Sequence, residues 1–94
     1  MTDAEILTLL QVDLGEMYPS EQRKVYLNQA ISAAKSFIAR EGVALTASVE
    51  DGQLVEMYAA YLVRKRATTE PMPRMLRWAL NNRLFSQKAS EGDA

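Results

Sequence analysis

Three breaks cut this chain into four pieces: Gly15 with Pro19, then Gly42, then Pro71 with Pro73. Between them, apolar residues return every three or four positions, and nowhere is there the strict alternation or Gly-rich turn of a β-hairpin. A pattern of this period, punctuated in this way, commits the chain to helices. With 94 residues, it has room for one small domain.

The first piece places Ile6, Leu7, Leu10 and Leu14 at helical intervals behind Thr2 and Glu5, which have the spacing of a capping box. This predicts a short helix over about residues 3–11. In the second piece, Ser20 serves as N-cap for a stripe of Leu27, Ala30, Ile31, Ala34, Phe37 and Ile38. Arg40 complements the carbonyl end of that helix, and Gly42 supplies a left-handed stop. At 1.5 Å per residue, the helix is about 30 Å long and is the scaffold for the rest.

Residues 43–47 have no helical period and read as a link. Ser48 and Asp51 then repeat the capping spacing, and Leu54, Met57, Tyr58, Tyr61 and Leu62 mark a third helix ending near Arg66. Pro73 opens a fourth helix, expected to end near Phe85, with Leu76, Ala79, Leu80 and Leu84 at core spacing. The remainder, SQKASEGDA, has no apolar anchor and is expected to be a flexible tail over residues 86–94. The fold expected is therefore all-α: a single domain over residues 1–85 with a short first and a long second helix.

Composition narrows the chemistry. Cysteine and histidine are both absent, which removes disulfides, thiol nucleophiles, thiolate and imidazole metal sites and triad catalysis. Tyr58 and Tyr61 beside Glu56 could serve as acid/base groups, but their spacing puts both tyrosines on the stripe with Leu54 and Leu62, which is a core position. No Gly-rich phosphate loop or acidic calcium loop is present. The expectation is a protein that is not an enzyme, with no cofactor, metal or small-molecule substrate. The longest apolar run, Met57 to Val63, is far shorter than the roughly twenty residues of a membrane span, so no membrane contact is expected.

Charge is unevenly placed. Residues 1–63 hold four Lys/Arg against nine Asp/Glu, whereas residues 64–88 hold seven against Glu70 alone. Such polarity suits an anionic partner or a head-to-tail contact between copies. Arg64, Lys65 and Arg66 end the third helix, where cations cap its carbonyls. With Arg74, Arg77 and Arg83 they could equally face a partner or line a path for DNA phosphates. A helix-turn-helix reader fits poorly, because the link between the third and fourth helices is too long and holds two prolines. Met75, Trp78 and Phe85 fall partly off the fourth helix's core stripe, so they either pack on the first helix or meet another subunit.

The order of these segments resembles the small all-helical head-tail connector proteins of tailed bacteriophages. The resemblance rests on LNQAISAAKSFIAREG with Ala30, Ala33, Ala34 and Phe37, on LVEMYAAYLVRKR with Tyr61 and Arg64, and on PRMLRWALNNRLF with Pro73, Leu76, Leu80 and Arg83. It covers residues 4 to about 85, and the chain departs from the usual form in Glu70-Pro71-Met72 before the helix-opening proline.

The resemblance implies a structural protein of a phage or prophage that is made in the bacterial cytoplasm and carried in the virion neck. It would form a homo-oligomeric ring matched to a twelve-fold portal protein and extend the channel that passes non-specific DNA. It would also offer a platform to the next neck or tail protein, and its tail could order on docking to the portal. Arg64, Arg66, Arg74, Met75, Arg77, Trp78, Arg83 and Phe85 are the residues expected at the subunit or portal interface. A small helical DNA-binding or regulatory module is the alternative.

Overall fold

The computed structural model describes residues 1–92 as four helices and their links: α1 (Asp3–Leu14), α2 (Glu21–Arg40), α3 (Val49–Ala67) and α4 (Arg74–Gly92). The all-α fold holds, and α2 is the longest helix at 20 residues. Three N-termini are capped where the sequence placed them. Thr2 accepts from Glu5 N–H while the Glu5 carboxylate accepts from Thr2 N–H, completing the box. Ser20 accepts from Arg23 N–H and Ser48 from Asp51 N–H.

Two boundaries differ from expectation. α1 continues to Leu14 and stops only at Gly15, whose φ of 72° is the left-handed conformation that closes the helix onto Gln11 and Val12 carbonyls. α4 does not end at Phe85. The segment Ser86–Gly92, expected as tail, continues the helix, and residues 93 and 94 of that tail lie outside the described residues. Polar contacts supply the anchor that apolar residues do not. The Gln87 amide accepts from Ala44 N–H (2.7 Å) and donates to Gly42 carbonyl (2.8 Å), tying α4 to the 41–48 link.

α1, α2 and α3 pack on one another, and α4 lies against α3. Ile6, Leu10, Leu27, Ile31, Ala34, Ile38, Leu54, Val55 and Ala59 are buried among the first three helices, joined by Leu76 and Leu80 from α4. α2 and α3 run antiparallel, as the pairing of Phe37 with Tyr58 near one end and Tyr26 with Arg66 near the other shows. Ala30, Ala34, Ala59 and Ala60 let these two helices approach closely along the seam. Gly52 has a different role, because a side chain there would overlap Met1, which folds back across the start of α3.

Candidate interface surfaces

Six of the eleven Lys/Arg residues are paired with carboxylates inside the chain. Three of them were expected at the interface, and each crosses between the basic and acidic parts of the sequence. Arg64 on α3 reaches Asp13 (3.2 Å), Arg77 on α4 reaches Glu41 (2.7 Å), and Arg83 on α4 reaches Asp51 (2.7 Å). The attraction expected between the acidic part of one copy and the basic part of the next is thus realised, at these three arginines, within one chain.

The Arg83 pair is the most enclosed of the three. Asp51 is 2% exposed, and its carboxylate accepts from Arg83 Nε and Nη2 and from Thr46 backbone N–H and hydroxyl. Burial alone would raise this carboxyl, but Arg83 and Thr46 together outweigh it and hold Asp51 below the usual carboxylate range. Asp51 therefore does not complete a capping box with Ser48. Its side chain turns away from the helix start to join α3, α4 and the 41–48 link at one point.

Glu56, also buried, has the opposite fate. Burial pushes its carboxyl up to about 7, and a hydrogen bond shared with Asp13 adds to the rise while Arg64 opposes it. Glu56 of α3 and Asp13 of α1 thus face one another where these two helices meet.

The remaining cations, Arg40, Lys65, Arg66, Arg74 and Lys88, have no carboxylate within salt-bridge distance among the described residues. Three of them lie over aromatic rings: Arg40 over Phe37, Lys65 over Tyr61 and Arg66 over Tyr26, at 5.5, 5.7 and 5.2 Å from the ring centroids. Tyr26 and Phe37 border the outer side of the α2–α3 seam. An open hollow of about 460 Å³ runs there between Tyr26 and Phe37, with Ala30, Ala33 and Leu62 in it and Lys65 and Arg66 along it. Phe37 was expected in the core. It stacks on Tyr58 but leaves one side to solvent.

α4 presents a second surface. Met75, Trp78 and Phe85 are 66%, 63% and 75% exposed, and do not pack on α1. At 100° per residue they share one stripe with Asn82, on the side opposite Leu76, Leu80 and Leu84. Their exposed apolar surface amounts to roughly 400 Å², within the range of the largest patch found on an ordinary monomer. Arg74 lies beside Met75 and Trp78 around a small outward-facing hollow. Behind the stripe, an open cleft of about 730 Å³ separates the outer edge of α4 from α3, with Trp78 and Asn82 on one wall and Glu50 and Gln53 on the other.

Of the eight expected interface residues, the structure therefore gathers Arg74, Met75, Trp78 and Phe85 on the outer side of α4. It places Arg66 on the α2–α3 seam and pairs Arg64, Arg77 and Arg83 with carboxylates of the same chain. Tyr26 and Arg40 were not singled out as interface residues. Arg40 had a sufficient local reason as a helix-end cation, and the signal that finds it is its position three residues after an aromatic ring.

No helix among the described residues is long and apolar enough to cross a membrane. No family model, curated protein or solved structure matches the chain.

Proposed function

We propose that this chain is a structural assembly protein of a phage or prophage, a head-tail connector that forms a ring under the portal, extends the DNA channel and joins the capsid to the neck or tail. The observation that carries the reading is the outward stripe of Met75, Trp78 and Phe85. An amphipathic helix ordinarily turns large apolar side chains to the core, and α4 already has Leu76 and Leu80 there. A tryptophan and a methionine on its other side, with Arg74 beside them, have the composition of an interface centre.

For a ring, the stripe must meet a different surface of the next copy. A contact between unlike surfaces repeats from copy to copy and closes into a ring when the rotation permits. The sequence resemblance to connector proteins and the all-α fold support the same reading. Native mass measurement of the purified chain, alone and with the portal ring of the same phage, tests it. A closed oligomer on the portal is expected, and Trp78→Ala should abolish it without unfolding the monomer. A chain that stays monomeric in both conditions overturns the reading.

The alternative, a DNA-binding module, draws on Arg40, Lys65 and Arg66, which have no carboxylate partner among the described residues. It requires monomer binding to short duplex DNA that weakens steeply with salt.

A further inference from the structure

Three observations along the α2–α3 seam belong together. First, Tyr26, Ala30, Ala33 and Phe37 line the hollow at steps of four, three and four residues, so one continuous face of α2 forms its wall. Second, the middle of that face is small: two alanines, with Leu62 of α3 opposite, leave space in which another backbone can lie close. Third, the cations around it are ones the fold leaves without carboxylates. Arg66 lies over the ring at one end of the hollow and Arg40 over the ring at the other, and Lys65 also lines it.

A guanidinium over an aromatic ring can still present N–H groups at its edge, and that edge matches a carboxylate in two-pronged fashion. The same stacking covers a ring face that a nucleic-acid base would need, and Tyr26 has a second arginine, Arg23, 5.1 Å from its centroid. The surface is thus better suited to carboxylates than to bases.

We infer that the α2–α3 hollow is a docking groove for an acidic amphipathic helix of another protein, held by small apolar residues against Ala30, Ala33 and Leu62 and by carboxylates at Arg40 and Arg66. Tyr26 and Phe37 are eleven residues apart, about 16 Å along α2. A helix lying parallel to α2 must therefore place its two acids about eleven residues apart, with aliphatic residues near the fourth and seventh positions between them. In a second copy of this chain the run Glu5, Leu9, Val12 and Glu16 has that spacing, but its two acids are already engaged, Glu5 by Thr2 N–H and Glu16 by Arg23. The exposed apolar stripe on α4 has Arg74 beside it and Lys88 three residues beyond Phe85, which are like charges to those of the groove. The inference goes beyond the connector reading and stands independently of it.

The test uses the full chain and a fluorescein-labelled, alanine-based helical peptide of 16 residues with Glu at positions 2 and 13 and Leu at positions 6 and 9. Saturable binding is expected by anisotropy, weakened at least tenfold by Ala33→Trp, which fills the groove, and by the double variant Arg40→Glu, Arg66→Glu. The same double variant should gain binding to the matching peptide with Lys in place of Glu, a reversal that damage to the fold cannot produce. Thermal melts by circular dichroism confirm that each variant folds.

Absence of binding by the wild-type chain, indifference to Ala33→Trp, or equal binding of a peptide whose acids are seven residues apart each overturns the inference. Displacement of the peptide by a 20-base-pair duplex at lower concentration than unlabelled peptide overturns it in favour of nucleic acid. Displacement by unlabelled chain, with crosslinks to a second copy, overturns it in favour of self-association.

Discussion

The α1–α3 bundle and α4 are both helical but are held in place differently. In the bundle, each helix turns its apolar stripe toward the other two, and Leu10, Leu27, Ile31 and Ile38 are shut from solvent. α4 has a single neighbour of substance. It inserts Leu76 and Leu80, then relies on three polar ties, Arg77 to Glu41, Arg83 to Asp51 and Gln87 to the Gly42–Ala44 segment. The difference teaches that a helix can be docked by directional bonds on one side while its other side stays apolar and open.

The sharpest way to break this contrast is to delete equivalent leucines. Leu27→Ala, in the bundle, should lower stability by about 4 kcal/mol in urea titrations, because a fully enclosed site relaxes little around the cavity. Leu80→Ala should cost nearer 2 kcal/mol, since α4 can shift on its single neighbour. Amide exchange should then show α4 opening ahead of α1–α3. Equal costs and simultaneous opening would mean that the four helices form one cooperative body.

Next in size is the polar tie. Arg83→Ala leaves the Asp51 carboxylate enclosed without its partner and should cost about 3 kcal/mol. Adding Asp51→Asn removes the stranded charge, so the double variant should be more stable than Arg83→Ala alone by denaturant midpoint. If it is not, the pair has little part in holding α4.

Glu56 gives a smaller effect with a definite pH signature. Its carboxyl is raised from 4.5 to about 7 in the folded chain, so between those values the folded state holds a proton that the unfolded state has lost. Stability should therefore fall as pH rises from about 4.5 to 7 and level off above that. Glu56→Gln keeps the donor without the charge, and should flatten this slope and add about 1 kcal/mol at pH 8, read from thermal melts across the range. An unchanged slope would place the titration elsewhere.

The smallest stability effect belongs to the outer stripe. Trp78→Ala should change monomer stability by less than about 0.5 kcal/mol, because the ring is mostly in solvent. A loss as large as that of Leu80→Ala would show that Trp78 is part of the packing.

All four helices were legible in the sequence because their apolar period and their caps are local signals. Thr2 with Glu5, Ser20 and Gly42 each act within a few residues of their own position. Phe37 misled, since periodicity tells which side of a helix a residue occupies but not where the neighbouring helix stops covering it. The end of α4 was not legible because Gln87 is joined to residues more than forty positions away. The same holds for Asp51 with Arg83 and Glu56 with Asp13: an excess of acid before residue 63 and of base after it is visible, but not which acid meets which base. The outward stripe was partly legible, because Met75, Trp78 and Phe85 fall off the Leu76–Leu80 side by simple counting.

Arg83 and Gln87 are one helical turn apart, and both grip the link that follows α2. Two handholds in line on one flank keep α4 from rolling about its own axis. The compass bearing of Trp78 is therefore set from inside the molecule, by an arginine and a glutamine on another flank of α4.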